Sequence, residues 1–311
     1  MTLPGIIRKE GEYVLAKMRK KLFPYFLVIP GVLVLVGIIF VPFIRNVLYS
    51  FTDYQLTNPD YEMVGLENYV DALTKGDLFA ALKNSLVWVV LNIVLMMLLG
   101  MLAAFLQNSR HIKGVFVFQI FLLLPWVLPE AVTGYIWKLL LNYETGVYYQ
   151  LLQFFHIIPE KYDIFANDFP AMMACVMANV WRSFPIIAMT VLAKLRSIQM
   201  DQLEAAVLDG ANRRQIFWYI ELPHIEPVLI SVGTLCFVWT FNSFGIIDVM
   251  TGGGPAKATE TLPVFLQREA FKYFDYAGAA TYAVIGLVIL VTIVLCATFI
   301  PKLLGKKNED Y

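Results

Sequence analysis

The chain has 311 residues, 59% of them hydrophobic and only 15% charged, against about 25% charged in a soluble domain. That balance excludes intrinsic disorder, which needs few apolar residues and much charge. The 24 Lys+Arg and 24 Asp+Glu cancel to a formal net charge of zero, which speaks against a nucleic-acid partner.

Residues 1–21 carry Arg8, Lys9, Lys17, Arg19, Lys20 and Lys21, a basic block of the kind that stays on the cytoplasmic side of a membrane. The apolar run 22–44 follows. It is about twice the length of a signal-peptide core, and no small-residue cleavage pattern follows it, so it reads as a retained span. Five more apolar runs come at 86–106, 115–141, 170–195, 227–247 and 276–300. The third holds Pro125, Pro129 and Glu130, and the fourth holds Arg182. Helices are expected, because a span in lipid must satisfy its own backbone hydrogen bonds. The fold class is therefore all-α, a polytopic membrane protein with six transmembrane helices.

Six spans put both termini on the inner side. The inner segments are then 1–21, 107–114, 194–226 and 301–311, and they hold 15 of the 24 basic residues but nine of the 24 acidic ones. The neutral chain is polarised, basic inside and acidic elsewhere, as the positive-inside rule requires. The outer loops, about 45–85, 142–169 and 248–275, have room for a surface helix but not for a domain. Cys175, Cys236 and Cys296 lie far apart in apolar stretches, and His111, His156 and His224 do not cluster. Neither a disulfide framework nor a metal site is expected.

The longest inner loop reads as two short helices around a turn. Asp201 is placed to cap the first, with Glu204 at its third helical position. Gly210 suits the left-handed residue that ends it. Asn212 and Gln215 repeat the cap for the second helix, and Pro223 and Pro227 suit a break before the fifth span. No G-x-x-x-x-G-K-[ST] phosphate loop occurs anywhere in the chain. The glycines at 252–254 run into Pro255 and read as a tight turn. The chain is thus expected not to hydrolyse ATP and not to be an enzyme.

Glu130 and Arg182 fall inside the third and fourth spans, away from their inner ends, where a charge is a functional candidate by default. Either they pair or line a polar path, or Arg182 simply anchors helix packing. The fifth span carries Cys236, Trp239, Thr240, Phe241, Asn242 and Ser243. Aromatic faces with a few placed polar groups suit a sugar; helix or lipid packing is the alternative for Trp239 and Phe241. Asp248 is either a gate or a solvated helix end.

Glu204-Ala205-Ala206, three residues, Gly210, nine residues, then Ile220-x-Leu222-Pro223 resembles the EAA loop of ATP-binding-cassette (ABC) importer permeases. Ser50-Phe51-Thr52-Asp53-Tyr54, Gly65-Leu66-Glu67-Asn68-Tyr69, Leu124-Pro125-Trp126, Trp181-Arg182-x-x-Pro185 and Thr251-Gly252-Gly253-Gly254-Pro255 resemble segments of the sugar-importer permeases of the maltose-transporter type. The resemblance covers roughly residues 22–300. It implies the type I ABC-importer permease fold, with residues 22–300 as the permease domain, 196–226 as the coupling loop, and 1–21 and 301–311 as cytoplasmic ends. It also implies a place in a bacterial or archaeal cytoplasmic membrane.

In that family the loop is a coupling helix seated in a cleft of a cytoplasmic ATPase. The residues it assigns to coupling are Glu204, Ala205, Ala206, Asp209, Gly210, Ala211, Ile220, Leu222 and Pro223. Glu204 either meets the ATPase or caps its helix, and Arg213 and Arg214 face either the ATPase or anionic lipid. The implied partners are a second homologous permease subunit, two ABC ATPase subunits, an extracytoplasmic solute-binding protein, a carbohydrate and the lipid bilayer. ATP and Mg would bind the partner ATPases, leaving this chain without a cofactor. The substrate positions that match the family are Ser183, Ile186, Cys236, Trp239, Thr240 and Ser243, to which the intramembrane Glu130 and Arg182 are added. Cys and Thr replace amides or hydroxyls at several of them, which points away from maltose itself. An anionic solute of the glycerol-phosphate kind and an ion-coupled secondary transporter remain as alternatives. An intramembrane enzyme would need a pair of acids, a histidine pair or an activated serine, and none is present at helical spacing.

Overall fold

A computed structural model describes residues 21, 23–58, 60–74, 77–108, 114–159 and 161–305. Most of the basic opening segment, the loop cations Arg110 and Lys113, and residues 306–311 of the tail lie outside the described residues. The described chain is almost wholly helical, with only isolated β-bridges pairing Thr52 with Met63 and Gln55 with Asn58 and Asp275.

The elements follow the apolar runs. A long helix, α1 (Phe23–Tyr49), comes first. A short α2 (Glu67–Thr74) precedes the 32-residue α3 (Asp77–Asn108). Next come α4 (Val115–Val127) and α5 (Glu130–Leu140), then the surface helix α6 (Val147–Phe154) and the 28-residue α7 (Asp168–Leu195). The hairpin helix α8 (Met200–Leu208) leads into α9 (Arg213–Phe241), and α10 (Gly245–Met250), α11 (Leu262–Phe271) and α12 (Tyr276–Gly305) complete the order. By length and composition five helices can cross a membrane, and α4 with α5 makes a sixth if the bent pair counts as one span.

The helices depart from the expected runs at three places. The third span is not one helix from 115 to 141, because α4 and α5 meet at 101°. Pro129 cannot donate to the preceding turn and forces Leu128 into extended backbone, φ −69° and ψ 136°, so the helix stops and restarts. The helix of the second span begins at Asp77, ahead of the apolar run that starts near 86, and its first two turns bury Leu78 and Ala81. The fifth does not start at a proline break. It is helical from Arg213, passes through a wide π-turn at Phe217–Glu221, where the Leu222 N–H bonds Phe217 O, and ends at Phe241. The π-turn leaves Pro223 in the first turn of the following α segment, where its missing N–H costs nothing.

The core lies around α7. Over half of its apolar window is buried, against none of the window in α1 and 6% in α12. The outer pair therefore presents apolar side chains outward, as lipid-facing helices do. Ala171, Ala174, Ala178 and Ala188 keep the buried side of α7 small, so neighbouring backbones approach closely. At the crossing with α3 a Cβ built on Gly100 would stand 2.6 Å from Ile187 Cγ2.

Two of the segments quoted for their family resemblance form one knot. Asn68 Nδ2 donates to Ser50 O and Thr52 O at 3.0 and 2.7 Å, and Ser50 Oγ lies 2.7 Å from the Tyr69 hydroxyl. Thr281 Oγ1 reaches Ser50 O at 3.1 Å, which ties α12 to the same point.

Candidate functional site

The two helix breaks face each other. The break at Pro129 makes Glu130 the first residue of α5, and the break at Asn242–Phe244 opens α10 beside it. Glu130 Oε2 accepts from Ser243 Oγ at 3.1 Å and from the Gly245 N–H at 3.0 Å. Gly245 is needed for this approach, since a Cβ there would stand 3.0 Å from Glu130 Cβ. The end of α4 leaves carbonyls without helical partners. Arg182 on α7 supplies one, donating from Nε to Leu128 O at 2.9 Å, while its Nη1 lies 4.0 Å from Glu130 Oε1. Both side chains are mostly covered, with 21% of Arg182 and 30% of Glu130 exposed. The two charges expected inside spans are thus brought together, in a wide ion pair with one donor already engaged.

Beside the pair is a cavity of about 350 Å³. From α7 it is lined by Asn179, Arg182 and Ser183, and from α9 by Cys236, Trp239 and Thr240. Trp126 and Glu130 close one side, with Asn242 and Ser243 at the second break. Of the eight residues expected on the substrate path, seven line this cavity. Ile186 does not: one turn further along α7, it is half-buried and packs against the core.

A polar relay behind the cavity was not expected from the sequence. Asn92 Nδ2 donates to Trp88 O, Asn179 Nδ2 donates to Asn92 Oδ1 at 2.8 Å, and Ser183 Oγ reaches Asn179 Oδ1 at 3.5 Å. Trp88 Nε1 donates to Thr240 O at 2.9 Å. The available signal was a lone asparagine in each of two apolar runs, where an amide must find a partner across the helix interface.

At the end of the bundle where α7 leaves, α8 and the start of α9 form an exposed hairpin. Gly210 takes φ +84°, and the N–H groups of Gly210 and Ala211 bond Val207 O and Ala206 O at 3.0 and 2.9 Å. These are the two bonds of a Schellman turn. Asn212 and Gln215 make a reciprocal capping box. Asp201 is not the cap of α8: Gln199 holds that position, and Asp201 lies inside the first turn. Glu204, Ala205, Asp209, Gly210 and Pro223 are exposed, and Ala206 and Ala211 are half-covered. Ile220 and Leu222 instead pack on the core, as does Leu203 of α8. The tip of the hairpin offers Val207 and Leu208 to the outside, the latter 87% exposed.

Comparison with known proteins gives the setting. Residues 78–309 match the family model of the binding-protein-dependent transport system inner membrane component. The probable ABC transporter permease protein y4oQ of Sinorhizobium fredii is 31% identical over 266 residues, 85% of either chain. The trehalose/maltose transport system permease protein MalF of Thermococcus litoralis is 28% identical, covering 94% of this chain and 97% of its own. Among solved structures, a chain of a bacterial ABC transporter involved in the import of the acidic polysaccharide alginate superposes with TM-score 0.79 at 20% identity, over 93% of this chain and 98% of that one. That likeness shows a shared fold. The chain belongs to the family of binding-protein-dependent transport system inner membrane components.

Proposed function

We propose that this permease carries a carbohydrate across the cytoplasmic membrane of a bacterium or archaeon, and that its exposed hairpin couples the path to a separate ATPase. The observation that carries the carbohydrate reading is the cavity wall: Trp126 and Trp239 offer aromatic faces, while Asn179, Ser183, Thr240 and Asn242 supply amides and hydroxyls. The curated names of relatives such as the trehalose/maltose permease support the same class. In this reading Glu204, Ala205, Ala206, Asp209, Gly210 and Ala211 meet a cleft in the ATPase. Ile220, Leu222 and Pro223 transmit its movement into α9. Two ATPase subunits, holding ATP and Mg, a second homologous permease and an extracytoplasmic solute-binding protein complete the transporter. The hairpin and both termini face the cytoplasm, consistent with the charge bias.

The test is uptake of labelled saccharides into vesicles holding the transporter purified through a tag on this chain. Uptake should require ATP and the loaded binding protein, and Trp239→Ala should cut it at least tenfold with basal ATPase activity retained. Transport by this chain alone without ATP would overturn the importer reading; uptake unaffected by Trp239→Ala would overturn the carbohydrate site.

A further inference from the structure

We infer that Glu130 is the specificity-determining residue of this cavity, and that by neutralising Arg182 it restricts the path to uncharged saccharides and rejects uronates and phosphates. The inference rests on the carbohydrate reading and narrows it to one charge class.

Among the described residues lining the cavity, Glu130 and Arg182 carry the formal charges, one of each sign. Their groups stand 4.0 Å apart, and the rest of the wall is aromatic, amide, hydroxyl, thiol and aliphatic. An anion entering such a site has one cation to meet. That cation already gives its Nε to Leu128 O and has a carboxylate beside it. Glu130 is in turn fixed by the Ser243 hydroxyl and the Gly245 N–H on its other oxygen, so it cannot easily swing away. A uronate or phosphate would lose its water and face a fixed carboxylate in a partly covered site, where like charges repel more strongly than in bulk water. Specificity achieved through a built-in repulsive group is a general device. A neutral sugar meets no such penalty: its hydroxyls can donate to Glu130 Oε1 and accept from the guanidinium's free N–H groups.

The prediction follows from charge alone. Glu130→Gln keeps an oxygen to accept from Ser243 and Gly245, so the local fold has its bonds, but it leaves the guanidinium uncompensated. That variant should turn the cavity into an anion acceptor. Asn242→Asp, on the opposite break, places a new carboxylate on the wall and should restore neutrality when combined with Glu130→Gln.

The experiment is calorimetric titration of the tagged transporter in nanodiscs, without ATP or binding protein. The probes are neutral gluco-, galacto- and manno-configured trisaccharides and the galacturonate and mannuronate trisaccharides. Wild type should bind at least one neutral trisaccharide at least tenfold tighter than any uronate. Glu130→Gln should gain at least tenfold for a uronate, lose it again in Glu130→Gln/Asn242→Asp, and show a thermal transition like wild type. If Glu130→Gln still binds the neutral probe but gains nothing for uronates, the inference fails and the carbohydrate reading stands. If wild type binds uronates as tightly as neutral sugars, the inference fails likewise. Should wild type bind no saccharide, both fall.

Discussion

At the scale of single residues, Gly210 is a position where the backbone, and not space, resists substitution. A Cβ there meets nothing within 4 Å, so space is not the obstacle. The obstacle is φ +84°, a left-handed conformation that costs a branched residue about 1–2 kcal/mol and costs Asn less. Gly210→Val should therefore leave the chain inserted and the bundle intact while displacing the tip, with Val207 and Leu208, from its partner. The expected outcome is loss of ATPase stimulation by the loaded binding protein, with Gly210→Asn keeping a substantial part of it. Full stimulation in Gly210→Val would remove the hairpin from the coupling path. Glycine at this position was legible in sequence because the turn needs it. The identity of the cap on α8 was not: Asp201 has the chemistry of a cap, but the extended backbone begins two residues earlier, at Gln199, ψ 132°.

At the scale of elements, lone polar residues and glycines decide how the spans meet. Gly100 lets α3 and α7 cross where a side chain would collide with Ile187. Gly100→Val should lower the melting temperature of the purified protein, at a cost of about 1–3 kcal/mol for overpacking, and Ile187→Ala should recover part of the loss. Additive damage in the double variant would mean that the two do not share the crossing. The hairpin has its own local stability. Asn212→Ala removes the bond that Asn212 Oδ1 accepts from the Gln215 N–H, leaving the backbone N–H of residue 212 on Gln215 Oε1, and should cost about 1 kcal/mol, seen as roughly fivefold faster amide hydrogen exchange across 212–216 with the bundle unchanged. Apolar runs near 20 residues disclosed the spans because lipid imposes that length. Their ends were less legible, because hydropathy does not distinguish lipid from protein as the surroundings of Leu78 and Ala81. The bend between α4 and α5 was foreshadowed by Pro125, Pro129 and Glu130, but its angle depends on what Arg182 and Ser243 provide at the break.

At the scale of the whole molecule, the segment 251–271, a loop and α11, is stitched to the start of α3 across nearly 180 residues of sequence. Lys257 pairs with Asp77 at 2.9 Å, Asn84 Nδ2 donates to Lys257 O and Glu260 O, and Ser85 Oγ accepts from the Leu262 N–H. No local pattern announces such long-range bonds, so this part of the fold was not legible in the sequence. At its centre Arg268 pairs with Glu260 and reaches Glu269 at 3.8 Å, with its guanidinium 5.4 Å from the Phe265 ring. Burial pushes both carboxyls above the ordinary glutamate value, and the attraction of Arg268 offsets this only in part. A carboxylate raised in the folded state binds its proton more readily there than in the unfolded chain. Its contribution to stability is therefore fully present below the unfolded value, near 4.5, and is lost as pH rises through the higher folded value. The protein should accordingly melt at a higher temperature at pH 5 than at pH 7.5. Glu269→Gln should shrink that difference, because it removes one of the two raised carboxyls of this segment. A melting temperature that rises from pH 5 to pH 7.5 in wild type would mean that attraction to Arg268 outweighs burial, and that the loop is held by its ion pairs instead of in spite of their desolvation.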